Sequence, residues 1–260
     1  MNSHLSDAQV RELLDAEIAK IKQDGIKFAV AGNAGYGKTS TVNALFNVNM
    51  YTSATDTATR TVHEVSMAVF PQEKEREISL TVYDLPGLAD GEEQNRPSEH
   101  YFQIYSDLLP KMDVTLWVLR ADVRAFKLDV DYLSQLVRTH PQLRQRIIIG
   151  LNFVDSIDPQ DWSPRINQPS KKQLENLEEV KKRVSSVIHK ECGLETNTTI
   201  PYSAKQAWQL DALFNGLTNA VPEGKKWVFN GLKANYSALF LSKVPEQFRE
   251  TAAQMYVQKS

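Results

Sequence analysis

The eight residues Gly32-Asn33-Ala34-Gly35-Tyr36-Gly37-Lys38-Thr39 have the pattern G-x-x-x-x-G-K-[ST] of a phosphate-binding P-loop. Glycines let the main chain curl, so that successive N–H groups point at one anion. Residues 26–31, just before the loop, are typical of a buried strand, and residues 40–46, just after it, are typical of a helix. A strand, a loop and a helix N-terminus in this order form an anion site.

The polar groups of this loop have predicted roles. We expect Lys38 to place its charge on the β- and γ-phosphates of a nucleotide, and the Thr39 hydroxyl to bind Mg²⁺. The residues predicted to contact the phosphates are Asn33, Ala34, Gly35, Tyr36, Gly37, Lys38, Thr39 and Ser40.

The composition is that of an ordinary globular protein, with 260 residues, of which 42% are hydrophobic and 24% are charged. A formal net charge of −2 does not predict bulk attraction to DNA, RNA or an anionic membrane. The single cysteine, Cys192, excludes an intrachain disulfide framework and indicates a reducing compartment, so we expect a cytoplasmic protein. The N-terminus lacks the apolar core of a signal peptide, and no apolar run approaches the ~18–20 residues that span a bilayer.

The hydrophobic pattern divides the chain into three predicted segments. Residues 1–25 predict an amphipathic N-terminal helix, residues 26–221 a nucleotide-binding α/β domain, and residues 222–260 a helical C-terminal tail.

The strand pattern within the central segment predicts the fold class. Near-continuous apolar runs at 114–119 and 146–151 are typical of interior parallel strands. A short charged link between the strands at 62–70 and 78–83 favours an antiparallel hairpin. We therefore expect an α/β fold of the P-loop NTPase type: a mostly parallel sheet with one antiparallel edge strand and helices on both faces.

Three further motifs follow predicted strands. In Asp84-Leu85-Pro86-Gly87, which reads D-x-x-G, the carboxylate is expected to hold Mg²⁺ and the Gly87 N–H to meet a γ-phosphate. In Asn152-Phe153-Val154-Asp155, the final carboxylate can accept from both N1–H and the N2 amino group of guanine, which adenine does not offer. In Ser203-Ala204-Lys205, we expect the Ala204 N–H to donate to guanine O6.

In order and spacing, these four motifs resemble those of translation-factor-class GTPases. The string Asp-Leu-Pro-Gly-Leu at 84–88 and the pair Thr59-Arg60 after a Thr-rich loop are similar to the Era-like branch. Segments 116–122 and 168–170 are similar to the bacterial YfjP/YeeP-type GTPases. The resemblance implies a molecular switch that binds GTP and GDP and slowly hydrolyses GTP with Mg²⁺. We also expect a protein effector or activator, with a nucleotide-dependent homodimer as one form of partner.

The resemblance also implies a switch threonine that binds Mg²⁺ only in the triphosphate state. Thr59 is the predicted residue because the family places this threonine directly before an arginine; its competitors are Thr52, Thr55, Thr57 and Thr61. The predicted metal ligands are thus Thr39, Thr59 and Asp84, and the predicted catalytic residues are Lys38, Thr59 and Gly87.

Departures from the family pattern concern the base and the attacking water. Phe153 replaces the lysine of the usual Asn-Lys-x-Asp motif; it either stacks on the base or is a core residue in a loop that holds no base. Leu88 replaces a glutamine that orients water in many relatives. Gly35 stands where some Era-like members have an asparagine that holds K⁺. Hydrolysis is therefore expected to need a group from switch residues or another subunit. Arg60 and Arg124 are candidates for supplying transition-state charge, with a role as surface arginines as the favoured interpretation of each.

Two other functions stay open at this point. One is a module that holds GTP or GDP and docks a partner without hydrolysis. The other is a membrane-associated, self-assembling GTPase that uses the N-terminal helix and the tail. RNA binding is not favoured, because the tail lacks the G-x-x-G loop of a KH module.

Overall fold

The structure, a computed structural model, describes residues 25–47, 62–69, 78–88 and 99–257. The predicted N-terminal helix, Thr59 and the rest of the Thr-rich loop lie outside these residues. The strands of the described part are β1 (Ile26–Gly32), β2 (His63–Val69), β3 (Ile78–Asp84), β4 (Val114–Arg120), β5 (Ile147–Asn152), β6 (Trp162–Ser163), β7 (Gln168–Pro169) and β8 (Thr199–Pro201). The helices are α1 (Lys38–Phe46), α2 (Glu99–Leu108), α3 (Lys127–Thr139), α4 (Lys171–Cys192), α5 (Leu210–Ala220), α6 (Lys226–Asn230), α7 (Tyr236–Ser242) and α8 (Arg249–Val257).

Six strands form the main sheet in the order β2-β3-β1-β4-β5-β8. All neighbours are parallel except β2 and β3, which pair antiparallel from His63 opposite Asp84 to Val69 opposite Ile78. Strands β6 and β7 form a separate two-stranded hairpin. The predicted mostly parallel sheet with one antiparallel edge strand is confirmed.

Successive residues of the central strands point to opposite faces of the sheet, and each face carries its own core. On one face, Ala29, Trp117 and Ile149 pack with side chains of α3 and α4. On the other face, Phe28 and Ile148 pack with side chains of α1 and α5. This two-sided burial explains why β4 and β5 read as continuous apolar runs.

Helix α4 shows how closely local sequence predicts an element. The Ser170 hydroxyl accepts from the Gln173 N–H at 3.1 Å, and the helix ends at Gly193, whose φ is 68°. The capping-box spacing of Ser170 and Gln173, and the glycine at 193, predict both helix ends from the sequence.

The apolar pattern of residues 207–217 predicts a helix that begins at Ala207, but α5 begins three residues later, at Leu210. Ser203 and Trp208 form a β-bridge, and Ala207 and Gln209 have φ values of 50° and 58°. These left-handed residues are incompatible with a helix before Leu210. Helix α2 and the hairpin of β6 and β7 are not predicted from the sequence pattern.

The C-terminal segment packs on the sheet domain and contributes to both cores. Val228, Phe229 and Tyr236 join the core with α1 and α5, whereas Phe240, Val244 and Ala252 join the other core. The Phe229 ring stacks on Phe214, with centroids 4.9 Å apart. The proposed division at 221/222 stays a prediction.

Across the residues described by the structure, none of the helices has the length and apolar character that a bilayer-crossing segment requires.

Candidate functional site

The glycine-rich loop joins β1 to α1 and curls around its own lysine. Gly37 has a φ of 80°, and a Cβ added there would lie 2.7 Å from Nδ2 of Asn152, so this position requires glycine. The Lys38 side chain is 8% exposed, and its Nζ donates to the carbonyl oxygens of Gly32 at 3.2 Å and Asn33 at 3.1 Å. The loop therefore holds its positive charge in place.

The other predicted phosphate contacts lie along the same loop. The Ala34 N–H donates to the Asn33 side-chain oxygen at 2.9 Å, and the Tyr36 carbonyl accepts from Asn152. Gly35 and Ser40 are exposed, Ser40 in the first turn of α1. All of these residues are therefore at one end of β1.

Asp84 and Thr39 meet beside this loop because β3 runs parallel to β1. The Thr39 hydroxyl donates to Oδ2 of Asp84 at 2.7 Å, and Asp84 is buried. A hydroxyl and a carboxylate are hard oxygen ligands of the kind that Mg²⁺ prefers. The residues present therefore fit a Mg²⁺ ion at this place.

The D-x-x-G segment lies directly against the phosphate loop. A Cβ added at Gly87 would be 2.6 Å from the backbone nitrogen of Ala34, so a larger residue would separate the two segments. The Tyr105 hydroxyl, on α2, donates to the Pro86 carbonyl at 2.8 Å and accepts from the Gly32 N–H at 3.5 Å. Sequence reasoning missed Tyr105 because it missed α2.

Leu88, next along this segment, is 1% exposed and belongs to the core that contains Trp117. Its side chain is therefore packed in the protein core.

The two predicted base-recognition segments meet at the ends of β5 and β8. Asn152 bridges the site: its Nδ2 donates to the Tyr36 carbonyl at 3.2 Å and its Oδ1 accepts from the Ala204 N–H at 3.1 Å. The Asp155 Oδ1 accepts from the Ser203 hydroxyl at 2.6 Å. The Lys205 ammonium lies 3.6 Å from Oδ2 of Asp155, but it is 77% exposed, so solvent screens that pair.

One predicted contact differs in this structure. The Ala204 N–H, expected to donate to guanine O6, here donates to Asn152. A bound base would have to share that N–H or replace Asn152 as its acceptor.

Phe153 lies between the phosphate loop and the end of β4. Its φ is 63°, and its ring carbon Cε2 would be 3.4 Å from a Cβ added at Gly37. The Arg120 guanidinium lies 4.1 Å from the ring centroid and is held by Asp122 through hydrogen bonds of 2.9 and 2.6 Å. The ring is half-buried, so Phe153 is not a fully buried core residue.

Asp129, in the first turn of α3, is a buried carboxylate that sequence reasoning missed. Its Oδ1 accepts from the Trp117 indole N–H at 3.1 Å, and among the described residues Oδ2 has no hydrogen-bond partner. Burial raises the pKa of Asp129 to about 7, although the Trp117 hydrogen bond and the charge of Lys38 both lower it. Nothing in the sequence pattern distinguishes this aspartate from a surface residue of an amphipathic helix.

Arg124, one candidate for supplying charge to the reaction, is exposed. It lines an open cleft of about 690 Å³ together with Asp122, Asp158 and Arg183 of α4. The other candidate, Arg60, lies outside the described residues.

The strand order, the glycine-rich loop and the Asp84–Thr39 contact define the class of P-loop GTPase folds. Residues 27–153 match the family described as 50S ribosome-binding GTPase. Over these residues the chain is similar to that GTPase family.

Curated relatives are three proteins of Escherichia coli K12. The chain is 27% identical to the putative uncharacterized protein YeeP over 46% of this chain and 48% of YeeP. It is 24% identical to the uncharacterized protein YkfA, over 82% of this chain and 68% of YkfA. With the uncharacterized protein YfjP the identity is 23%, over 74% of this chain and 61% of YfjP. The predicted likeness to the YfjP/YeeP type is confirmed, and the chain spans about half to two thirds of these relatives.

Solved structures share the fold. Toc33 from Arabidopsis thaliana in complex with Mg²⁺ and GMPPNP is 17% identical, with a TM-score of 0.52 over 92% of this chain and 95% of that chain. Era from Aquifex aeolicus bound to GDP and AlF₄⁻ is 21% identical, with a TM-score of 0.50 over 76% of this chain and 57% of that chain. At these identities the likeness establishes the fold alone.

Proposed function

We propose that this chain is a guanine-nucleotide-binding switch that hydrolyses GTP to GDP and phosphate slowly. The observation that carries the proposal is the bridge made by Asn152, which contacts the phosphate loop with one atom and the Ser203 segment with another. One side chain thus sets the spacing between a phosphate end and a base end, as a nucleoside triphosphate site requires.

At the base end, Asp155 is the proposed determinant of guanine. Its Oδ1 accepts from Ser203, which holds the carboxylate beside the loop where a purine edge would lie. A fixed carboxylate can accept two hydrogen bonds from guanine, and neither donor is available from adenine in that arrangement. Asn152, Ser203, Ala204 and Lys205 are proposed to complete this end.

At the phosphate end, Lys38 and the main-chain N–H groups of residues 33–40 are proposed to bind the phosphates. Thr39, Asp84 and the predicted switch residue Thr59 would hold Mg²⁺, which supplies charge to the β- and γ-phosphate oxygens. The Gly87 N–H is proposed to contact the γ-phosphate and to lose that contact after hydrolysis, which would release the segment packed against Ala34.

Slow turnover is proposed because Leu88 is buried and offers no hydrogen bond to water. An arginine supplied by an activator is worth about 10³–10⁵ in rate in related switches. A protein activator, or a second copy of the chain, is therefore the proposed source of the missing group. Toc33 from Arabidopsis thaliana, of which a dimerization-deficient mutant has been solved, is a precedent for testing the second copy. The single, buried and free Cys192 agrees with a proposed cytoplasmic setting.

Calorimetry with GTP, GDP and ATP in the presence of Mg²⁺ tests the binding part. We expect heat for GTP and GDP and none for ATP; a folded protein that gives no heat with either guanine nucleotide would overturn the proposal.

Single-turnover assays at low and high protein concentration, with and without K⁺, test hydrolysis. We expect slow loss of the γ-phosphate, faster if a second copy contributes. The alternative favoured by the buried Leu88 is a module that binds GTP or GDP without hydrolysis. A γ-phosphate that persists for hours under every condition would support that alternative instead.

A further inference from the structure

The hairpin of β6 and β7 places one buried amide between two parts of the molecule. Asn167 is 1% exposed and has a φ of 49°, a left-handed conformation that asparagine tolerates better than most residues. The Trp162 indole N–H donates to its Oδ1 at 2.9 Å. This bond fixes the amide orientation, so that the Nδ2 group faces away from the hairpin with two hydrogens to donate.

Both hydrogens have acceptors, and the acceptors belong to different segments. Nδ2 of Asn167 donates to the Gln206 carbonyl at 2.8 Å and to the Phe240 carbonyl at 3.3 Å. Gln206 lies in the segment 203–208, called here the Ser203 loop, and Phe240 lies in α7 of the C-terminal segment. One side chain therefore joins the proposed base-recognition loop to the tail.

The Ser203 loop transmits this contact to Asp155 over a short distance. Ser203 and Trp208 exchange backbone hydrogen bonds of 3.0 Å, and the Gln206 N–H donates to the Ser203 hydroxyl at 3.1 Å. That same hydroxyl donates to Asp155 at 2.6 Å. The Trp208 indole N–H donates to the Gln168 side chain at 3.2 Å, which ties the loop to the hairpin a second time.

The tail is packed firmly at this point. Phe240 is fully buried, with its ring centroid 4.9 Å from that of Tyr256 in α8. The Arg165 guanidinium, in the hairpin, lies 5.3 Å from the Phe248 ring centroid. Helices α7 and α8 thus pack on each other, and the tail contacts the hairpin through the Phe240 carbonyl and through the cation–π contact of Phe248.

We propose that Asn167 is a positioning residue through which the docked tail holds the Ser203 loop in the geometry that binds guanine. The inference rests on the proposed function and adds a linkage to it: a docked tail raises the affinity for guanine nucleotides, and a bound guanine nucleotide stabilises the docked tail. Thermodynamic reciprocity requires both effects to be equal in size. A partner that displaced α7 and α8 would therefore speed nucleotide release without touching the nucleotide.

The test compares Asn167→Asp with the matched tail variant Tyr236→Phe. Aspartate tolerates the same backbone conformation and can still accept from Trp162, but it loses both donated hydrogen bonds. Tyr236→Phe removes the hydrogen bond of 2.8 Å from the tail to the Leu45 carbonyl on the other face of the sheet, away from the Ser203 loop. Dissociation of fluorescent GDP is measured for both variants, for Phe240→Ala and for the double variant of Asn167→Asp with Phe240→Ala.

We expect Asn167→Asp to speed GDP release about 5–30-fold, the usual range for lost hydrogen bonds to a buried group. Binding of inorganic triphosphate, which has no base, should be unchanged, as should GDP release from Tyr236→Phe. The effects of Asn167→Asp and Phe240→Ala should be less than additive, because the first removes the donor to the Phe240 carbonyl and the second loosens the packing that holds that carbonyl against Asn167. In the wild type, GDP should slow hydrogen exchange of residues 236–257.

The inference is overturned, while the proposed function stays intact, if folded Asn167→Asp releases GDP at the wild-type rate. It is also overturned if GDP does not alter hydrogen exchange of the tail. An equal loss of affinity for GDP and for inorganic triphosphate in Asn167→Asp would also overturn it, because the variant would then be destabilised in general. A wild-type protein that binds no guanine nucleotide would instead remove the proposed function, and this inference with it.

Discussion

The two ends of the proposed nucleotide site are built in different ways. The phosphate end is centred on a run of eight consecutive residues whose shape depends on glycine backbone conformations and on Lys38 bonding to carbonyls of its own loop. The base end joins Asn152 and Asp155 to the Ser203 loop, which lies about 50 residues further along the chain. It is supported by the β6–β7 hairpin and the tail.

This difference predicts different sensitivities. Short-range contacts survive changes elsewhere in the molecule, so the phosphate end should depend mainly on its own residues. Long-range contacts exist only when several elements pack together, so the base end should respond to changes in the hairpin and tail. Variants at the two ends therefore separate the selection of the base from the affinity for phosphate.

The largest expected effect is on base selection. Asp155→Asn replaces a double acceptor with an amide, so the variant should lose GTP and gain xanthosine triphosphate, whose C2 oxygen can accept from that amide. Sites built around such hydrogen bonds discriminate by about 10⁴–10⁵. Competition between the two nucleotides for the protein measures the change. The exposed neighbour Asp158→Asn should keep wild-type selection, and an Asp155→Asn protein that still prefers guanine would contradict the assignment of the base end.

The next effect is on phosphate affinity. Lys38→Ala removes a buried cation and should weaken GTP and GDP by about 10²–10⁴, the value of one or two charge-assisted hydrogen bonds. The affinity for inorganic triphosphate should fall by a similar factor, which would assign the loss to the phosphate end. Calorimetry measures these affinities, with the exposed Lys172→Ala as control. Unchanged binding by folded Lys38→Ala would exclude the loop as the phosphate site.

A smaller effect is expected from the aromatic platform. Phe153→Ala should weaken GTP and GDP equally by about 5–150-fold, because stacking of one base on an aromatic ring contributes about 1–3 kcal/mol. Phe153→Tyr keeps the ring and should bind both nucleotides with wild-type affinity. Arg120→Ala removes the guanidinium behind the ring, so its affinity should lie between those of Phe153→Ala and the wild type. These affinities follow from fluorescent-nucleotide titration. If Phe153→Ala retained full affinity, Phe153 would be a packing residue only.

The smallest effect concerns stability and tests a group that belongs to neither end. The folded-state pKa of Asp129 is raised from 3.8 to about 7, so the folded protein holds this proton more tightly than the unfolded chain. The stability that protonated Asp129 contributes is therefore complete below 3.8 and is lost as the pH rises towards about 7. Asp129→Asn lacks this loss, so its stability relative to the wild type should increase with pH, by at most about 1.4 kcal/mol per pH unit.

Denaturant unfolding at pH 5 and pH 8 measures the difference for Asp129→Asn. Asp131→Asn, an exposed change on the same helix, should show the same stability relative to the wild type at both pH values. A pH-independent difference for Asp129→Asn would mean that Asp129 is already ionised in the folded protein at pH 5.

Local sequence was sufficient for much of the sheet domain. Continuous apolar runs predicted β4 and β5, and the pattern of caps predicted α4. Helix α2 was missed although Tyr101, Tyr105 and Leu109 have helical spacing, a signal that was available. The hairpin was missed for a physical reason: two-residue strands such as Trp162–Ser163 are too short to show an alternating pattern.

Tyr105 and Asn167 illustrate contacts that no motif predicts. Tyr105 bonds to main-chain atoms, and the Asn167 amide donates to main-chain carbonyls. A main-chain carbonyl accepts a hydrogen bond whatever the side chain of its residue is. The sequence around Pro86, Gln206 or Phe240 therefore carries no mark of the partner.

The amino-acid sequence alone determined the P-loop, the order of its companion motifs and the alternation of strands and helices, because these depend on backbone preference and hydrophobic period over short distances. Tertiary structure alone decided that Leu88 is buried, that Arg120 covers one face of Phe153, and that the tail reaches the Ser203 loop through Asn167. Those arrangements are contacts between segments that are distant in the chain. They exist only when the whole sheet has formed and brings those segments together.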